Sequence, residues 1–309
     1  MTNAPRMQGI FSPVLTPFNP DYTPDAERFQ KHCRWLLDQD VGLAIFGTNS
    51  EANSMSVTEK RRLLDTLLEA GLPAARMMPG TGCCALPDTI ELTRRAVQAG
   101  CGGVLMLPPF YYKGVSEEGL YRAFASVIDA VADERLRIYL YHIPPVSQIP
   151  ITRGLVARLL KAYPKAIAGM KDSSGDWNNT KAMLDEFAPQ GFEVFAGSEN
   201  FLLANLRGGG MGCITATGNV NPGAIVQLYK TWKGSEADTQ QANLDATRAV
   251  FAQFPMIPAM KAAIAWKSGR DSWRTVRPPL VELDAQQQQT LQGALDKAGF
   301  AMPNAGSLA

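Results

Sequence analysis

Histidine is nearly missing from this chain: His32 and His142 are the only two, and they lie far apart. That disfavours a metal centre built on imidazoles, though carboxylates alone hold hard cations. Cysteine is sparse as well. Cys33, Cys83, Cys84, Cys101 and Cys213 make an odd number with no CxxC spacing, so neither a disulfide framework nor a zinc site is suggested. An excess of one charge is lacking. Lys and Arg total 30 against 29 Asp and Glu, and a net charge of +1 offers no basic field to draw nucleic acid or an anionic membrane. No apolar run approaches the roughly 20 residues of a spanning helix. The N-terminal stretch MTNAPRMQG has no apolar core of the signal-peptide kind. A cytoplasmic protein is expected, with partners that are neither nucleic acid nor membrane.

What is present is an alternation of short apolar runs with longer amphipathic ones. Strands are expected at Ile10–Thr16, Val41–Thr48, Arg76–Thr81, Gly103–Leu107, Arg137–Ile143, Ala166–Lys171, Glu193–Gly197 and Cys213–Thr217. Several, such as GLAIFG and GGVLMLPP, are apolar on both faces, the pattern of parallel strands covered on each side. The segments between them read as helices. TPDAERFQKHCRWLLDQ opens on Thr23, Pro24 and an acidic first turn. SVTEKRRLLDTLLEAG places Ser56 and Glu59 at capping-box spacing and ends at Gly71. About eight strand–helix units fit before residue 220, which predicts an α/β fold closed as a (β/α)8 TIM barrel, with an open doubly wound sheet as the alternative. From Pro222 onward no strand is evident and no Gly-, Ser- or Pro-rich linker intervenes. Residues 1–221 are therefore expected to form the barrel, and 222–309 a C-terminal helical extension packed on it.

In such barrels the chemistry sits where the strands end. The second strand ends on Thr48, Asn49 and Ser50, the fourth runs into Tyr111 and Tyr112, the fifth ends near Tyr141, and the sixth ends on Lys171. A lysine closing an apolar strand most simply extends its amine into water. Several polar groups converging on one amine favour a nucleophile instead. An amine attacks a carbonyl only when unprotonated, and burial among apolar groups favours that form. The imine that results draws electrons from the adjacent carbon. A tyrosine hydroxyl near it moves protons, and Tyr141 is the candidate. Backbone N–H groups and hydroxyls at Thr48 and Asn49 suit a carboxylate, although taken alone Thr48-Asn49-Ser50 is better explained as an ordinary strand-to-helix turn with local caps. The glycines at 208–212 imitate a dinucleotide fingerprint, but they precede a strand rather than follow one. They read as a helix-to-strand connection. Cys83 and Cys84 have no adjacent base and read as packing.

Taken together and in order, GTNSE, PPFYYKGVSEEGLY, YHIP, GMKDSSGD and GCITATGNVNP resemble the dihydrodipicolinate synthase / N-acetylneuraminate lyase family over nearly the whole chain. The resemblance implies homotetrameric (β/α)8 barrels, assembled as dimers of dimers, that join a lysine to a 2-oxo acid without metal or organic cofactor. It assigns Lys171 to the imine, Tyr141 to the proton shuttle, and Thr48 and Asn49 to the substrate carboxylate. It assigns Tyr112 to a neighbouring subunit's site and places Ile214 beside the imine. GMKDSSGD, FAGSENFL and Asn49 look most like the 4-hydroxy-2-oxoglutarate aldolase branch, which adds Ser173, Gly197 and Ser198 to the substrate-binding set. Two departures stand out. Ser50 occupies the place of the family's usual glycine. Val146 lies where the synthases carry the arginine that grips the aldehyde partner's carboxylate.

The expected activity is thus a class I aldolase splitting a 4-hydroxy-2-oxo acid into pyruvate and an aldehyde. A sugar-acid dehydratase would use the same imine, and a dihydrodipicolinate synthase is less favoured because of Val146. A non-catalytic binding barrel is opposed by the intact Lys171, Tyr141 and Thr48 set, and a metal-dependent aldolase by the histidine count.

Overall fold

The computed structural model describes residues 6–309; residues 1–5, part of the N-terminal stretch read above, lie outside it. Seven strands occur among the described residues: β1 (Gly9–Ser12), β2 (Gly42–Leu43), β3 (Val104–Met106), β4 (Ile138–His142), β5 (Ile167–Asp172), β6 (Glu193–Ala196) and β7 (Gly212–Ile214). The chain forms two compact units that do not follow chain order. One is Pro73–Ile214 with the N-terminal segment up to Gly9. The other joins Ile10–Leu72 to Thr215–Ala309.

In the first unit β3 to β7 lie side by side in chain order, every pair parallel. Helices Glu117–Val131, Arg153–Ala162, Trp177–Phe187 and Leu202–Arg207 make the crossovers that parallel pairing requires. Alternation along the strands sorts the side chains. Ile138 and Leu140 of β4, Met170 of β5 and Val194 of β6 pack with Phe124, Leu155, Met183 and Phe187 of the helices in one buried cluster. Tyr139, Tyr141, Lys171, Glu193 and Phe195 fall on the other face of the sheet.

Most expected strands are shorter than their apolar runs: Ile10–Thr16 stops at Ser12 in β1, and Cys213–Thr217 stops at Ile214 in β7. Arg76–Thr81 pairs with β3 only as a bridge from Gly80 to Leu105, held by Leu105 N–H to Pro79 O (2.9 Å) and Thr81 N–H to Leu105 O (3.0 Å). Pro79 has no N–H to extend the ladder. Val41–Thr48 keeps only Gly42–Leu43, because Phe46 turns into the left-handed region (φ 61°) and ends the extended run. Conversely, β5 runs one residue beyond Lys171.

In the second unit β1 and β2 pair in parallel. Helix Ala26–Asp38 begins later than Thr23-Pro24 suggested, at Asp25, whose carboxylate accepts from Arg28 N–H (2.9 Å). Helix Val57–Glu69 has its expected capping box. Ser56 N–H donates to Glu59 Oε2 (2.8 Å), and Glu59 N–H donates to Ser56 Oγ (3.2 Å). Four further helices, Pro222–Thr231, Ala237–Phe251, Met256–Ser268 and Ala285–Lys297, complete the unit.

His32 is buried in this unit. Its ring lies edge-on to Trp273 (5.3 Å between centroids, 84°), and Nε2 lies 3.2 Å from Asn219 O, an acceptor that selects the tautomer with its proton on Nε2. Nδ1 has no hydrogen-bond partner among the described residues. Burial pulls this imidazole from 6.5 down to about 4. The unfolded chain binds the proton first, so the neutral ring's contribution is complete above pH 6.5 and disappears as pH falls towards 4. A gap of that size is worth roughly 3 kcal/mol. Urea midpoints at pH 7 and pH 4.5 should therefore separate more for the native protein than for His32→Gln. Equal separations would show that acid acts elsewhere.

Candidate active site

The site is built from the row of β4 and β5. Tyr141 and Lys171 are register partners on adjacent parallel strands, so their side chains leave the sheet on the same face. Lys171 is only 2% exposed. Its Nζ donates to Tyr141 Oη (3.2 Å) and lies 4.3 Å from the centroid of the same ring. Among the described residues no carboxylate pairs with this amine. Phe195 stands in register on the far side of Lys171 and is fully buried. One row lower, Tyr139 donates its hydroxyl to the Glu193 carboxylate, and burial pushes both groups' pKa values up. The polar atoms beneath Lys171 are thus satisfied by each other.

The turn after Lys171 is held by Asp172. Its carboxylate accepts from Ser174 N–H (2.8 Å), Asn179 Nδ2 (2.8 Å) and Thr180 Oγ1 (2.7 Å), tying the DSSGD turn to helix Trp177–Phe187. His142, its register partner, accepts at Nδ1 from Ile151 N–H (3.0 Å). Burial lowers the His142 pKa, and the nearby Asp172 opposes that shift. Both residues serve the turn's architecture.

Ser173 donates its N–H to His142 O (2.7 Å), and Gly197 donates its N–H to Asp172 O (2.7 Å). A Cβ at position 197 would stand 2.0 Å from Ser173 Oγ, so only glycine allows this approach. Ser198 caps the turn that follows, accepting from Asn200 N–H (3.3 Å). Ile214 closes β7 and is buried. Lys171, Tyr141, Ser173, Gly197, Ser198 and Ile214 thus sit at the ends of strands, or just beyond them, in one unit. Tyr112, in the same unit, is 74% exposed, with its ring edge-on to Tyr111 (5.3 Å, 88°).

Thr48 and Asn49 belong to the other unit, half-buried in the short 3-10 turn Thr48–Ser50. Ser50 is fully buried there, and its backbone does not need glycine's freedom. Its hydroxyl accepts from Gly47 N–H (3.1 Å), and its carbonyl accepts from Thr16 Oγ1 (2.8 Å). The left-handed residue is the next one, Glu51 (φ 57°). Glu51 leads to a feature that sequence reasoning missed, an ion pair with Lys261 in which both side chains are completely buried. One signal was available: Lys261 is a single charge inside the apolar run MIPAMKAAIA. Nothing in the chain order named its partner, 210 residues away.

The chain matches the dihydrodipicolinate synthetase family over residues 6–298. It is 36% identical over 293 residues to a DapA-like lyase of Chloroflexus aurantiacus, covering 94% of this chain and 96% of that one. It superposes on a dihydrodipicolinate synthase of Agrobacterium tumefaciens with a TM-score of 0.87 at 28% identity, over 94% and 99% of the two chains. It superposes equally on YagE, a prophage protein of the dihydrodipicolinic acid synthase family from E. coli K12 solved with pyruvate. There the TM-score is 0.86 at 28% identity, over 96% and 99% of the chains. The chain belongs to the dihydrodipicolinate synthetase family. It is an enzyme of the lyase and aldolase kind.

Proposed function

We propose that the protein is a pyruvate-releasing class I aldolase acting on a 4-hydroxy-2-oxo acid within a (β/α)8 barrel framework. The observation that carries this reading is the buried Lys171, whose closest polar partner is the uncharged hydroxyl of Tyr141. Lys171 Nζ adds to C2 of the substrate, water leaves, and an iminium remains. Tyr141 gives its proton to the departing water, and the phenolate so formed takes the proton of the C4 hydroxyl as the C3–C4 bond breaks. The bond electrons pass into the iminium, giving an enamine and free aldehyde. Protonation at C3 and hydrolysis then return pyruvate and the free lysine. The family resemblance gives the C1 carboxylate to Thr48 and Asn49, and the remainder of the substrate to Ser173, Gly197, Ser198 and Ile214. The pyruvate bound in the related YagE structure suits this substrate class. The exposed Tyr112 suits a ring that meets a second copy in a homotetramer.

Val146 favours aldol cleavage over the synthase reaction. It is 60% exposed on the turn Pro144–Ser147, presenting methyl groups where the family resemblance puts a guanidinium in synthases. Two other arginines of the same unit are engaged or placed elsewhere. Arg153 is paired with Glu186 (3.1 Å), and Arg207 ends a helix that leads into the start of β7. A charge-assisted hydrogen bond is worth about 1.5–3 kcal/mol, or roughly 10- to 100-fold in rate. Cleavage of 4-hydroxy-2-oxoglutarate or a 2-keto-3-deoxy sugar acid should therefore exceed condensation with aspartate semialdehyde by at least that factor in kcat/KM, with EDTA present. Efficient condensation would overturn the assignment. Loss of water from the sugar acid without pyruvate release would replace it with the dehydratase reading.

A further inference from the structure

We infer that Lys261 and Glu51 are positioning residues that set the shape of the Thr48–Asn49 turn for a substrate carboxylate. This rests on the proposed aldolase reading and adds residues to it. Glu51 directly follows the turn. Its Oε1 holds Lys261 Nζ, and its Oε2 accepts from Arg277 N–H (2.8 Å). The ammonium also donates to Thr275 O (2.7 Å) and lies 4.6 Å from the centroid of Phe18. Arg277 extends the clamp. Its guanidinium lies 4.7 Å from the Phe18 centroid, donates to Ser54 O (2.5 Å) and Tyr22 O (2.7 Å), and pairs with Glu59. With Thr16 Oγ1 on Ser50 O, the backbone from Ser50 to Ser54 is tied at two carbonyls, and Glu51 between them is held by its side chain.

Stability alone does not explain such a pair. Two charges with no exposure lose their hydration, and apolar side chains of similar volume often serve a core as well or better. Here the carboxylate also sits on a residue in the left-handed region, which a non-glycine residue adopts at a cost and which recurs at functional sites. What the arrangement delivers is a fixed backbone course immediately after Thr48 and Asn49. An anion-binding turn depends on that course, since its N–H groups and hydroxyl must point to one place.

The test is pyruvate–borohydride labelling read by intact mass, titrated with pyruvate, for the native protein, Glu51→Gln and Glu51→Gln/Lys261→Met. The native titration reads the imine, and the shift between proteins reads the clamp. The double variant should need about 10- to 100-fold more pyruvate for half-labelling, the scale of a displacement near 1 Å, yet reach the same final stoichiometry. If it does not fold, Glu51→Gln keeps an oxygen for Arg277 N–H and weakens only the ionic partner. That variant should shift half-labelling roughly fivefold. An unchanged half-labelling concentration, whatever the final stoichiometry, means the pair is merely structural and overturns the inference alone. A native protein that takes no label overturns the imine reading and this inference together.

Discussion

Pyruvate followed by borohydride should leave one stable label on Lys171, and Lys171→Met should take none. Hydride reduction of the iminium converts a reversible C=N bond into a secondary amine, so peptide mapping reads the site of attack directly. The chemistry selects among lysines through their partners. Lys171 and Lys261 are both buried, but they meet opposite environments. Burial pulls the Lys261 amine down to about 8, but the Glu51 carboxylate opposes that shift and occupies the nitrogen. Lys171 meets a neutral phenol and its ring face, so its lone pair is available once the proton leaves. Methionine retains length and apolar bulk at position 171, so the sheet around Tyr141 and Phe195 should survive the exchange. Turnover should fall by about 10⁶-fold, the scale seen when a covalent nucleophile is removed. Label on any other lysine, or persistent label in Lys171→Met, would remove the mechanism.

Tyr141→Phe should keep the fold and lose roughly 10²- to 10⁴-fold in kcat, the usual contribution of a positioned proton-transfer group. The substitution deletes one atom, Oη, which is 3.2 Å from Lys171 Nζ, and leaves the ring and its contact with that nitrogen in place. Labelling of Lys171 should slow, because carbinolamine dehydration also needs a proton, but it should still occur. A stability loss near 1 kcal/mol is expected for one hydrogen bond. That is too small to explain a catalytic loss of several orders of magnitude, so melting temperature and kcat together separate the two roles. Near-native kcat would make Tyr141 a structural residue.

Strands β4, β5 and β6 were readable within a residue or two because apolar runs covered on both faces have a composition of their own, and the turns after them carry polar residues at fixed offsets. The capping box at Ser56 and Glu59 was readable for a similar reason, since it is a contact between residues three apart. Lys171 could be singled out by its place at the end of such a run. The ends of β2 were not readable, because they depend on Phe46 adopting a left-handed backbone that its residue type does not announce. Nor did the apolar run Arg76–Thr81 reveal that only one of its residues would pair with β3.

The sequence by itself determined the alternating α/β order, the family motifs and which lysine lies at the end of an apolar run, since all of these are local or depend on fixed spacing. The tertiary structure decided which buried lysine meets a neutral hydroxyl and which meets a carboxylate. It also decided that Ser50 serves the turn with its hydroxyl, and that Asp172 is consumed by its own loop. The reason is that a buried charge is governed by the group opposite it. For Lys171 that group lies 30 residues away and for Lys261 it lies 210 away, separations that only folding brings within reach of a hydrogen bond.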